Sequence, residues 1–86
     1  MSTGVKSRIL IVDDESEITA ILSDLFSGEH FCMTAGSAEE ALERLLVSQY
    51  ELVISDITMP GMSGLDMIPQ VKSLAPNTVV VMISGM

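Results

Sequence analysis

The chain has 86 residues, 48% of them hydrophobic and only 3% aromatic, which suits one small domain with an aliphatic, methionine-rich core and argues against disorder. Twelve Asp and Glu against four Lys and Arg give a formal charge of −8, and the cations Lys6, Arg8, Arg44 and Lys72 are scattered. Direct nucleic-acid binding needs a positive footprint that is missing here, whereas a divalent metal or a basic partner suits the charge.

Residues 1–7 read as a polar lead-in, followed by a first strand over residues 8–12, Arg-Ile-Leu-Ile-Val, whose unbroken aliphatic run suits a parallel strand buried on both faces. From Ser16 to Ser27, Ile18, Ile21, Leu22 and Leu25 fall at i, i+3, i+4 and i+7, the stripe of an amphipathic helix, with Gly28 as its stop signal. Phe31–Ala35 reads as a second, less apolar strand that belongs at a sheet edge. His30 before it reads as a solvated loop residue rather than a phosphoryl donor or metal ligand. Cys32, the single cysteine, reads as a small core hydrophobe; with no disulfide partner in the chain it fits a reducing compartment.

Ser37-Ala38-Glu39-Glu40 is a capping box opening a helix whose predicted buried face is Ala38, Ala41, Leu42, Leu45 and Leu46. A third strand over residues 51–55 ends at Asp56. Met59-Pro60-Gly61-Met62-Ser63-Gly64 is loop chemistry in which the methionines serve packing and Ser63 caps a helix starting near Gly64. That helix runs through Leu65, Ile68, Val71 and Leu74, and Pro69 removes one of its backbone donors. Val79–Ile83 is the most hydrophobic strand.

Strands and helices alternate at the spacing of right-handed crossovers, so the fold class is α/β, a parallel sheet with three flanking helices, and the flavodoxin-like arrangement of such a sheet implies strand order 2-1-3-4. In that order the first, third and fourth strands are neighbours, about 4.8 Å apart. The carboxylates of Asp13, Asp14 and Asp56 then gather at the carboxyl edge, where open α/β sheets bind ligands, and so do the residues after the fourth strand. Carboxylates that close repel unless a cation joins them, and magnesium, which prefers oxygen ligands, suits the set. Asp13-Asp14-Glu15-Ser16 taken alone also fits a solvated helix N-terminus.

Three motifs in order, Ile11-Val12-Asp13-Asp14-Glu15, Asp56-Ile57-Thr58-Met59-Pro60-Gly61-Met62-Ser63-Gly64 and Val81-Met82-Ile83-Ser84-Gly85, resemble the receiver domain of bacterial response regulators. The resemblance implies that residues 8–86 are a partial receiver of two-component signalling. It implies that Asp56 is the phosphoacceptor, that Asp13, Asp14, Asp56 and the Thr58 backbone carbonyl hold Mg2+, and that Ser84 bonds the phosphoryl group. The implied partner is a sensor histidine kinase or phosphotransfer protein; independently, the lone Cys32 and the lack of an apolar stretch near the roughly 18 residues of a membrane span read as cytoplasmic, with no membrane partner. Among phosphatases that work through an aspartyl phosphate, a second aspartate usually stands two residues after the nucleophile; Thr58 there counts against that class.

The family's fifth strand, last two helices, strand-five lysine and aromatic switch residue have no counterpart in these 86 residues. The expectation is a chain that binds magnesium but takes up phosphate poorly, because a dianion loses an ion pair while a cation loses a competitor. An exposed apolar fourth strand or uncovered sheet face further suggests a homodimer. The alternative reading is an interaction or dimerisation module with a receiver-like fold and no phosphorylation.

Overall fold

The computed structural model describes residues 7–83. Its elements run β1 (Arg8–Val12), α1 (Ser16–Phe26), β2 (Phe31–Ala35), α2 (Ala38–Val47), β3 (Leu52–Asp56), α3 (Gly64–Leu74) and β4 (Val79–Ile83). All strand pairs are parallel, in the order β2-β1-β3-β4. The third strand lies one residue later than its aliphatic run predicts, so Glu51 falls outside it and Asp56 is its last member. Among the described residues no helix is long and apolar enough to cross a membrane.

β1 is central and is buried from Ile9 to Val12 because its side chains alternate between two cores. Leu10 and Val12 join Val53, Ala41, Leu45, Met67 and Val71 beneath α2 and α3. Ile9 and Ile11 join Ile54 on the opposite face, where Leu22 and Phe26 of α1 pack against them. Cys32 lies half-buried beside that second core, as its hydrophobic character suggests, and burial raises its thiol pKa.

The serine caps form where expected: Ser37 Oγ accepts the Glu40 N–H at 3.1 Å and Ser63 Oγ accepts the Asp66 N–H at 3.0 Å. Glu40, however, reaches past the cap residue to accept the Gly36 N–H at 2.8 Å, while its other oxygen pairs with Arg44 at 3.3 Å. The α1 stop does not require a glycine conformation, since Gly61 is the only described residue with positive φ, at 77°. Instead the Glu29 and His30 N–H groups both close on the Phe26 carbonyl. His30 is half-buried rather than fully solvated, and its Nδ1 accepts the Ser7 N–H at 3.3 Å.

The helices bury narrower faces than their periodicity suggests. Ile21, Leu25, Leu46, Leu65 and Leu74 are exposed, whereas Thr19 and Met67, outside the predicted stripes, are buried. On its face of the sheet α1 covers β1 and β2, and among the described residues no helix covers β3 and β4 from that side. Val79 and Val81 accordingly remain 59% and 43% exposed.

Candidate functional site

The parallel β1–β3 register, which pairs Val12 with Ser55, carries Asp13 and Asp56 to adjacent positions at the carboxyl edge. Asp13 continues the β1–β2 ladder through its N–H to the Ala35 carbonyl, at 3.1 Å. Its Oδ1 accepts the Glu15 N–H at 2.9 Å, an Asx turn that redirects the chain into α1 and fixes the carboxylate. Glu15 is the α1 cap residue but makes no side-chain cap bond, so Asp13 is the side chain that anchors this junction.

One carboxylate oxygen each from Asp13, Asp14 and Asp56 lies within 4.8 Å of the other two. Asp13 and Asp56 are 4% and 7% exposed, while Asp14 is open to solvent. Two full charges at that separation repel by roughly 3 kcal/mol in an effective dielectric of about 20. Burial pushes the Asp13 carboxyl above its ordinary range; the Glu15 N–H partly offsets this, and the charges on Asp56 and Asp14 add to the rise. A small, hard cation would relieve both the burial cost and the repulsion, and the all-oxygen donor set fits one.

Asp56 is also held from the β4 side. It pairs with Ile83, and the next residue, Ile57, donates its N–H to the Ile83 carbonyl at 3.0 Å. Thr58 is exposed and donates its N–H to Asp56 Oδ1 at a long 3.4 Å. Met59 is buried and Met62 half-buried against the core, in keeping with packing roles. Ser84 lies outside the described residues.

The cluster lines a hollow of about 640 Å³ together with the apolar residues Ile18, Leu22, Ile57 and Ile83. Ile18, Leu22 and Ile83 of this apolar lining were not legible as part of a site, because they read simply as helix stripe and strand. The lining lowers the local dielectric and so strengthens every charge interaction at the acidic rim.

The Asp13 shift has a testable sign. With a folded-state pKa above the ordinary 3.8, the carboxyl stabilises the fold fully below that value and loses the contribution as pH rises through the raised one. Without divalent metal, the stability difference between wild type and Asp13→Asn should therefore shift in favour of the variant as pH rises through this window. Denaturant midpoints across pH in a chelating buffer measure it, and a difference moving the other way would contradict the assignment.

A family model described as the response regulator receiver domain matches residues 9–86. The chain is 33% identical over 81 residues to the chemotaxis protein CheY of Thermotoga maritima, an alignment covering 92% of this chain and 68% of the relative. It is 37% identical over 80 residues to the transcriptional regulatory protein CpxR homolog of Haemophilus influenzae, covering 92% of this chain but 34% of that protein. The chain thus spans about two thirds of the one relative and about a third of the other. Among solved structures, the response regulator TrrA of Thermotoga maritima, in complex with Mg2+-BeF, superposes with a TM-score of 0.84 at 34% identity, covering 93% of this chain and 70% of that one. Vibrio cholerae chemotaxis protein CheY4 superposes with a TM-score of 0.84 at 28% identity, covering 91% and 68% respectively.

Proposed function

We propose, from the premise that this chain belongs to the response regulator receiver domain family, that Asp56 is its phosphoacceptor and residues 8–86 its receiver portion, with residues 1–7 a lead-in. The observation that carries this is the convergence of the Asp13, Asp14 and Asp56 carboxylates within 4.8 Å at the carboxyl edge of the sheet. A carboxylate oxygen of Asp56 attacks the phosphorus of a phosphohistidine on a sensor histidine kinase or phosphotransfer protein. The P–N bond breaks, its electron pair returns to the imidazole, and an acyl phosphate forms on Asp56.

Asp13, Asp14, Asp56 and the Thr58 carbonyl are the residues that would hold Mg2+, and TrrA, whose structure contains Mg2+, supports that choice of ion. When bound, the ion neutralises charge on the transferring phosphoryl oxygens. The protein supplies the rest: the Glu15 N–H orients Asp13, β3 and β4 fix the Asp56 backbone, and the apolar lining limits water. Ser84 is assigned a hydrogen bond to the phosphoryl group from its place after β4. The lone cysteine is read as favouring a cytoplasmic location, and the acidic, cation-poor charge as disfavouring direct contact with nucleic acid.

Treatment with a small acyl-phosphate donor and Mg2+ should add a phosphoryl group, at most one per chain, removable by hydroxylamine and located at Asp56. No uptake, or uptake at another residue, overturns the reading.

A second reading is favoured by the exposed Val79 and Val81 on β4, an outer strand among the described residues: an interaction or dimerisation module that performs no phosphoryl chemistry. Its self-association would place β4 or the neighbouring open sheet face between two copies. Sedimentation at micromolar concentration should then give a homodimer, and a clean monomer sinks it.

A further inference from the structure

We infer that Gly64 is a positioning residue for the Asp56 carboxylate, an inference that rests on the metal and phosphoryl site proposed above. Gly64 is the buried first residue of α3, and its φ is not in the left-handed region, so no turn conformation demands a glycine there. What demands it is proximity. A β-carbon at position 64 would overlap the Asp56 carbonyl oxygen outright and stand 3.1 Å from both the Asp56 carbonyl carbon and Met82 Sδ.

The same contact region holds the peptide groups on the carboxyl side of Asp56. The Gly64 N–H donates to the Ile57 carbonyl at 2.9 Å, and the Ile57 N–H donates to the Ile83 carbonyl at 3.0 Å. The Asp56 carbonyl itself accepts the Ser55 hydroxyl at 3.0 Å and abuts the bare Gly64 Cα. These bonds fix the carboxyl side of the Asp56 Cα, the pairing of β3 with β4 holds its amino side, and the Thr58 N–H at 3.4 Å from Oδ1 restrains the side chain. Asp13, by contrast, is anchored through β1, the Ala35 carbonyl and the Glu15 N–H, none of which moves with α3.

A side chain at 64 must therefore push the first turn of α3 off the end of β3 or tilt the Asp56 peptide. Either displacement shifts one wall of the carboxylate cluster relative to the other. Oxygens that share one ion tolerate only about half an ångström of such error. Gly64 thus acts through Asp56, without touching metal or phosphoryl group.

The test is Mg2+ binding by titration calorimetry on wild type, Gly64→Ala and Ser63→Ala, with denaturant midpoints for each. Ser63→Ala removes the α3 cap bond to Asp66 and so weakens the same helix end without pressing on Asp56. Gly64→Ala should lower Mg2+ affinity about tenfold or more, as loss of a group orienting metal ligands does. Ser63→Ala should lose stability while keeping its affinity. Equal affinity in Gly64→Ala and wild type, whatever the stability, reduces Gly64 to packing and overturns the inference. Absence of binding by wild type overturns the site reading as well, so the two failures are distinguishable. If Gly64→Ala does not fold, the pair Gly64→Ala with Met82→Ala, which clears the sulfur contact, is measured against Met82→Ala by the same criterion.

Discussion

Asp56→Asn is expected to abolish phosphoryl uptake completely while raising the stability of the metal-free protein by about 1–3 kcal/mol. The amide keeps the shape but lacks the anionic oxygen that attacks phosphorus, so the covalent step loses its nucleophile. Stability moves the other way because one of three carboxylates crowded within 4.8 Å loses its charge. The new NH2 group can donate to the neighbouring aspartates, which spares it the cost of an unpaired buried donor. Intact-mass analysis after donor treatment reads the first effect, and denaturant midpoints in chelator read the second. An acyl phosphate persisting on the variant would place the nucleophile elsewhere, and a destabilised variant would mean that the carboxylates do not repel. Signalling that survives the substitution would favour the interaction-module reading.

Leu10→Ala should remove about 2–5 kcal/mol, the range for deleting a fully buried leucine. Leu10 is 0% exposed at the centre of β1, packed beneath α2 and α3. A domain of this size has roughly 4–13 kcal/mol in total, at about 0.05–0.15 kcal/mol per residue, so the loss approaches the whole margin at the lower end. Leu46→Ala provides the contrast: that side chain is 70% exposed, and its truncation should stay within about 0.5 kcal/mol. Thermal or denaturant unfolding of the two variants decides the matter. Equal losses would mean that α2 presents a different face to the sheet.

That contrast marks where sequence was and was not informative. Strands were legible because aliphatic runs such as Ile9–Val12 and Val79–Ile83 stop at polar residues, and alternation with helices implied a parallel sheet whose strand order the flavodoxin-like arrangement supplied. Helix faces were less so. In α3 the i, i+3 series Leu65, Ile68, Val71 and Leu74 winds around half the helix at about 3.6 residues per turn, and packing against α2 and β4 buries only Val71 of it, together with Gly64 and Met67. Leu46 and Leu25 illustrate the same shortfall, because a helical period specifies a direction and not the width of the contact. The acidic cluster was legible because strand ends converge by topology. The Glu15 N–H to Asp13 and the approach of Gly64 to Asp56 were not, because both depend on backbone positions that residue type alone does not encode.

The central place of β1 carries a consequence for synthesis. It leaves the ribosome before the other described elements, yet its inner partner β3 emerges about 40 residues later, as the pairing of Ile9 with Leu52 requires. At about 5–20 residues per second that is a delay of roughly 2–8 s, during which the apolar side chains of β1 have β2, α1 and later α2 for shelter but no β3. Chaperone binding to stalled nascent chains should therefore be strongest before Leu52–Asp56 clears the exit tunnel and fall once it has.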